Sequence, residues 1–534
     1  MFDAEFDFVV VGAGSAGCVL ANRLSASGDY SVLLLEAGPK DRNPWIHIPI
    51  GYYRTMEDAR ISWGYRTDVV PTAGNRTFEW PRGKVLGGSS SVNGLVYARG
   101  QAQDFDHWRD LGNTGWGFDD VLPYFKRAEG ASIGDIDEAF HGRDGPLAIS
   151  RASAHPLCDA YIEAAGQAGI PPNADYNGSS QEGAGYFQVT TRNGWRSSAA
   201  TAYLKPALGR ANLDVQTNSL VRKLMIEHRQ VVGVEVDQQG QHRKIKARRE
   251  VLLCAGAINS PQILQLSGIG DTELLKAHGV TPIHHLSEVG ENLQDHYTCS
   301  SKYRCTQPIT VNDEVGSWAG KVGIALRWLR DRGGPMSLSA GQVGVFAKTR
   351  ADLETPDVQF HFLRYSAQKR GRALDAFPGF TVTMCQLRPH SRGYVRIQSA
   401  DHREKPAIQP NYLDHEIDRD TMVTGMRLVR EVARQPALKP YIDEEIRPGR
   451  SVTDDDALLD YVQHNGSTIF HPSSSCRMGN DDASVVTPRL NVKGVDRLRV
   501  ADASIMPTVV SGNTNAACIM IGEKAADMVL QDHK

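Results

Sequence analysis

The chain has 534 residues, with 59 Lys and Arg against 62 Asp and Glu, for a formal net charge of −3. A composition of 41% hydrophobic and 23% charged residues excludes a disordered or fibrous chain, and the near-neutral balance removes the electrostatic case for a nucleic-acid partner. The length predicts roughly two to four domains, and 51 glycines point to tight turns and backbone packed close to a ligand.

The first eight residues carry Asp3, Glu5 and Asp7 and no basic residue, unlike a secretory signal. No apolar run approaches the ~20 residues that span a bilayer. A cytoplasmic protein is therefore expected, with peripheral contact at the inner membrane left open. Phe6 to Val11 (FDFVVV) is a short apolar run suited to a strand buried on both faces of a parallel sheet. It runs into Gly12-Ala13-Gly14-Ser15-Ala16-Gly17, after which Ala16, Val19, Leu20 and Leu24 mark one face of a helix that Gly28 can stop. Ser31 to Leu35 is a second strand, ending at Glu36. This βαβ unit carries the dinucleotide fingerprint in its proper context. Gly12 permits the turn, Gly14 lets backbone approach a pyrophosphate, and Gly17 lets helix pack on strand. The helix N-terminus offers N–H groups to phosphate, and Glu36 can accept from ribose hydroxyls while repelling a 2′-phosphate. At this point NAD and FAD both fit.

Further along, Gly83 to Asn93 (GKVLGGSSSVN) joins a glycine pair to three serines, a lining suited to pyrophosphate or a flavin edge. The apolar strand Val251 to Cys254 leads into Gly256 to Gly270, where Ser260 is a candidate helix cap and Pro261 its first helical residue. Val358 to Phe362 and Tyr394 to Ile397 alternate in the manner of antiparallel strands. Near the end stand His471-Pro472 and Gly512-Asn513-Thr514-Asn515, followed by a helical face of Ala517, Met520, Ile521, Ala525 and Met528. The eight cysteines form no C-x-x-C pair, so structural zinc and thioredoxin-type redox chemistry are not expected, and no metal site is predicted.

At these residues the sequence resembles the glucose–methanol–choline (GMC) oxidoreductases, and among them the bacterial alcohol dehydrogenase and choline dehydrogenase branch. The resemblance rests on 83–93, 256–270, Val289 to His296 (VGENLQDH), Val500 to Ser504 (VADAS), and the His471 and Asn513 segments. It implies an α/β fold, α+β overall, in which a Rossmann-like FAD-binding domain is interrupted by a substrate domain built on an antiparallel sheet. The expected division is 1–155, 205–300 and 460–534 for the FAD domain, with 156–204 and 301–459 for the substrate domain. It implies FAD as cofactor, held by Gly12, Gly14, Ser15, Gly17, Glu36, Gly83, Val85, Gly87, Gly88, Ser89, Asn93, Gly94, Val221, Asp502, Ala503, Asn513 and Thr514. Some family oxidases attach FAD through a histidine just before the asparagine of the glycine-pair segment. Here that position is Val92, so non-covalent FAD is expected.

Oxidising an alcohol means removing the hydroxyl proton and a hydride from carbon; FAD accepts the hydride at N5, and the protein supplies the base. His471 matches the family's catalytic histidine, and an imidazole of ordinary pKa about 6.5 suits that task near neutral pH. Asn513 matches the second catalytic position and is equally placed to be a helix N-cap. A helix starting near Thr514 would aim its positive end at reduced flavin. His464 and His296 are weaker rivals for the base, the latter in a stretch whose family role is cofactor packing. Where family members often have glycine, this chain has Ser474, whose hydroxymethyl either narrows the pocket or bonds the flavin. Ile469 and Phe470 fit either the substrate approach or the core. Trp63, Tyr65, Phe360, Phe362 and Tyr365 are candidate pocket aromatics.

The expected reaction is oxidation of an uncharged primary alcohol to the aldehyde, with electrons passing to a quinone-like acceptor. The alternatives are an oxidase that makes H2O2 from O2, and a hydroxynitrile lyase in which FAD does no redox work.

Overall fold

The computed structural model describes residues 2–368 and 373–534. The first strand, Ala4–Val11, is fully buried over its last four residues. It pairs in parallel with Val32–Glu36 on one side and Gln241–Leu253 on the other, with Val9 opposite Leu33 and Val251. Leu213–Thr217 extends the sheet in parallel beyond Val32–Glu36. Leu498–Val500 joins in parallel, and the hairpin of Ser219–Glu227 and Gln230–Gln238 adds an antiparallel wing. Continuous Val and Leu runs form these central strands because helices cover both faces. The helix Ser15–Leu24 packs against the last helix, Asn515–Asp532. The two ends of the chain therefore meet over one core.

The second sheet is antiparallel throughout, in the order Ile442–Arg447, Tyr297–Cys305, Gly379–Gln386, Val358–Leu363, Val343–Ala347, Gly183–Tyr186. The short strand Ser467–Thr468 pairs with the start of Tyr297–Cys305. Tyr394–Arg396 does not join this sheet; it forms a separate two-stranded ribbon with Ala407–Gln409. All six residues of Val358–Leu363 are buried, so the polar positions in that alternating strand face not solvent but the interior between the two sheets.

The helix expected to begin at Ser260 begins a turn earlier, spanning Gly256–Leu266, with Pro261 inside it. A proline there leaves the carbonyl four residues back without its helical donor. That carbonyl, Ala257 O, accepts instead from Ser475 Oγ at 2.6 Å. Ser260 Oγ donates to Asp502 Oδ2 at 2.6 Å. Side chains distant in sequence thus sustain a helix that local rules would start later.

Candidate active site

A single cavity of about 1040 Å³ runs from the Gly12 turn to the antiparallel sheet. Gly12 has φ +99°, and a β-carbon there would meet Cys254 O at 2.6 Å; one at Gly17 would meet Gly12 O at 1.9 Å. These two glycines serve the turn and its packing. Gly14 differs: a β-carbon would come no closer than 3.8 Å to any protein atom, yet the residue lines the cavity. The space beside it opens into the cavity. Glu36 is buried, and its carboxylate accepts from Ala13 N at 3.0 Å and Gly38 N at 2.8 Å, tying the second strand's end to the turn. Burial pushes its carboxyl up to about 7, against the backbone donors and Lys84.

Gly83, Gly88, Ser89, Asn93 and Gly94 line the adjoining wall. Gly88, at φ +53°, lies so close to Gly14 that a β-carbon would sit 2.7 Å from its Cα. Ser15, Val221, Asp502, Ala503 and Thr514 also line the cavity. Asp502 accepts from Gly256 N and Ser504 N, both at 2.8 Å, locking two loops together. Gly17, Val85 and Gly87 do not line it. Val85 is packed with Ile46, Ile61 and Val92, and Gly87 N donates to Ala13 O at 2.8 Å. A narrow, glycine-walled channel ending at a buried acid fits the dinucleotide part of FAD.

At the other end stands His471, buried but facing the cavity. The short pairing of Tyr297 with Thr468 and Thr298 with Ser467 brings its loop beside Asp295 and His296. Asp295 accepts from the His471 backbone N at 2.6 Å and from the Tyr412 and Thr468 hydroxyls. Burial raises its carboxyl, while these donors and Arg82 oppose the rise. The Arg82 guanidinium, pulled down by burial to about 10, donates to Phe470 O at 2.6 Å. The loop is thus pinned at Phe470 and His471.

The imidazole of His471 is held at both nitrogens. Its Nδ1 lies 2.9 Å from His296 Nδ1, and its Nε2 lies 3.1 Å from Asn513 Nδ2. The other nitrogen of His296, Nε2, lies 3.1 Å from Leu387 O. A carbonyl can only accept, so His296 Nε2 carries the hydrogen. Burial pulls His296 down to about 4, which keeps it neutral and leaves Nδ1 as a lone pair. His471 Nδ1 must then donate to it, and His471 Nε2 is left as a lone pair directed at Asn513 and the cavity. Gln359 Nε2 donates to Asn513 Oδ1 at 3.4 Å, which turns the Asn513 amide N–H toward His471. The arrangement presents an imidazole nitrogen and an amide N–H donor side by side at the cavity.

Several expectations change here. His296 does not line the cavity; it is fully buried behind His471. His464 lines an outer stretch, largely exposed, with Nδ1 2.9 Å from its own helix's Asp460 O. Asn513 is not the helix cap: Thr514 holds that position, at the start of Asn515–Asp532, and makes no side-chain cap bond. Ser474 sits at φ +73°, where glycine is the favoured residue, but it points away from the cavity and its hydroxyl meets Ser473 Oγ at 3.2 Å. It is not part of the cavity lining. Phe360 and Phe362 belong to the core, because alternation turns them away from His361 and Leu363, which line the cavity. Trp63, Tyr65, Tyr365, Ile469 and Phe470 all line it. Sequence reasoning missed Gln359 and Leu387, whose polar groups act from a distant strand, and the backbone role of Asp295. The only local signal was the run Gln294-Asp295-His296, a buried acid and imidazole side by side.

Family models described as GMC oxidoreductase match residues 6–298 and 389–522. An oxygen-dependent choline dehydrogenase of Photobacterium profundum is 42% identical over 99% of this chain and 93% of its own length. The mitochondrial choline dehydrogenase of Homo sapiens is 43% identical over 98% of this chain and 90% of its own. Among solved structures, pyridoxine 4-oxidase from Mesorbium loti superposes with a TM-score of 0.89 at 31% identity, covering 99% of both chains. Formate oxidase of Aspergillus oryzae gives 0.93 at 26% identity, covering 100% of this chain and 99% of its own.

Proposed function

This chain belongs to the GMC oxidoreductase family and is an FAD-dependent alcohol-oxidising enzyme, and we propose that it converts a primary alcohol to the aldehyde with His471 as base. FAD held along Gly12, Gly14 and Ser15 and the 83–94 wall would supply the hydride acceptor. His471 Nε2 receives the hydroxyl proton. The Asn513 amide N–H donates to the same oxygen and stabilises negative charge as it develops there. His296 is a positioning residue: its Nδ1 lone pair holds the His471 tautomer and accepts the Nδ1–H before and after the proton arrives. The observation that carries this reading is the chain Leu387 O, His296, His471, Asn513, which leaves a lone pair only at the nitrogen facing the cavity.

FAD is held without a covalent link, Val92 occupying the position where a linking histidine would stand. The division at 156–204 and 301–459 assigns the antiparallel sheet to the alcohol except for the start of Tyr297–Cys305 and the short strand Ser467–Thr468, which fall on the other side of it. Its cavity-facing residues Thr298, Ser300, Lys302, His361, Thr381 and Thr383 include no carboxylate. A quaternary ammonium calls for an anionic or aromatic cage; Trp63, Tyr65 and Tyr365 offer aromatic faces to the same cavity, and it is the lack of a carboxylate on the sheet that favours an uncharged alcohol over choline. The acceptor is quinone-like, and the location is cytoplasmic. The test is anaerobic mixing of the yellow holoenzyme with a panel of alcohols, choline included, followed by timed reoxidation. Bleaching with an uncharged primary alcohol, and faster reoxidation by a soluble quinone than by oxygen, supports the proposal. Faster reoxidation by oxygen makes it an oxidase. Persistent colour together with cyanohydrin cleavage makes it a lyase.

A further inference from the structure

The helix Trp318–Asp331 (WAGKVGIALRWLRD) turns the wrong side outward for a soluble surface. Its inward face is Gly320, Ile324 and Trp328, one residue per turn. Trp328 is buried, stacked edge-on against Trp195 at 4.6 Å between ring centres, with the Arg332 guanidinium over both rings. The opposite face carries Trp318, Val322, Leu326 and Leu329, spaced i, i+4, i+8 and i+11, a single stripe at 3.6 residues per turn. Trp318 is 81% exposed and Leu326 and Leu329 about 60%. Scattered exposed apolar residues need no explanation, but a stripe of four on one helix does.

Charge identifies what the stripe faces. At 100° per residue, Lys321 and Arg330 flank it on its two sides. From Trp318 to Arg332 the chain has four basic residues and one acidic, although the whole protein is net negative. A second copy of this helix packed on the stripe would set like charges against each other. An anionic lipid surface matches the stripe with acyl chains and the flanks with headgroups. No helix among the described residues is long and apolar enough to cross a membrane, so the contact lies in the interface plane. The helix also adjoins the site. It leads through the turn Pro335–Ser337 to Ala340, which lines the cavity, and that turn packs on Pro49–Gly51, just before the cavity residues Tyr52 and Tyr53.

We propose that the helix Trp318–Asp331 docks this protein on an anionic phospholipid surface, with Trp318, Val322, Leu326 and Leu329 inserted and Lys321 and Arg330 on the headgroups. The test is co-sedimentation of the holoenzyme with vesicles of equal phosphatidylglycerol and phosphatidylcholine, and with phosphatidylcholine alone. Binding to the anionic vesicles should exceed that to the neutral ones by about tenfold or more and weaken with salt. The pair Leu326→Asp and Leu329→Asp, and separately Lys321→Glu and Arg330→Glu, should each lose about tenfold in binding. Both should keep alcohol turnover with a soluble acceptor, which shows that the fold is intact. Wild type left in the supernatant with anionic vesicles, or both pairs sedimenting as wild type does, overturns the proposal. So does a wild-type dimer that the leucine pair converts to monomer without any vesicle binding, because the stripe then seats a second copy.

Discussion

The turn at Gly12–Gly17 and the pocket around His471 serve one reaction but are built in opposite ways. The turn is made largely of backbone: its residues are consecutive, and the carboxylate that anchors it, Glu36, lies only 23 residues from Ala13, with Gly87 N on Ala13 O and Asn515 on Ser15 added from further along the chain. The pocket is made of side chains drawn from 295–296, 359, 387, 471 and 513, joined by hydrogen bonds that cross between 42 and 176 residues of chain. A backbone device is specified by residues with no side chain to misplace. A side-chain device works only when each ring and amide is turned the right way, and each is turned by a neighbour.

Substitutions in the two regions should therefore fail differently. Gly14→Val should fold, since the β-carbon clears the protein by 3.8 Å, yet lose FAD and all turnover; a purified variant with full flavin absorbance would show that the turn does not meet the cofactor. His471→Ala should keep FAD and slow anaerobic flavin reduction about 10⁴-fold, the upper range for a general base; normal reduction would remove it as the base. Asn513→Ala should slow the same step about 10²–10³-fold, the scale of one lost transition-state donor. His296→Leu should cost about 10–100-fold, with FAD retained and a shifted pH–rate profile. His296→Asn, which offers an acceptor, should recover part of the loss. Equal defects in the two variants would reduce His296 to a packing residue.

The smallest expected effect separates the regions by pH. The Glu36 carboxyl, raised from its ordinary 4.5 to about 7, binds more protons folded than unfolded between those values, so its contribution to stability falls as pH rises through them. His296, lowered from 6.5 to about 4, binds fewer when folded, so its contribution is present above 6.5 and lost as pH falls toward 4. The Tm advantage of wild type over Glu36→Gln should shrink from pH 4.5 to 7, whereas that over His296→Gln should grow from pH 4 to 6.5. Parallel trends would mean that the two groups do not titrate as their burial dictates.

The first βαβ unit was legible because strand, glycine turn, helix and acid are contiguous and each follows local rules. The motif around His471 was legible as a pattern, but its geometry was not. Val358 to Phe362 reads as alternating strand either way, and nothing in that run says that Gln359 would meet Asn513 while Phe360 turns into the core. Ser474 reads as an altered pocket residue, and only its left-handed backbone and a buried side chain that meets Ser473 rather than the cavity show that it is a turn residue.

Sequence by itself determined the family, the FAD turn and the identity of the two groups proposed for the chemistry, because these depend on residue type at short, fixed spacing. Tertiary structure alone decided which nitrogen of His471 faces the cavity and which faces His296. A tautomer is set by the hydrogen bond at the opposite side of the ring, and here that partner arrives from another strand, itself oriented by a carbonyl 91 residues further along the chain.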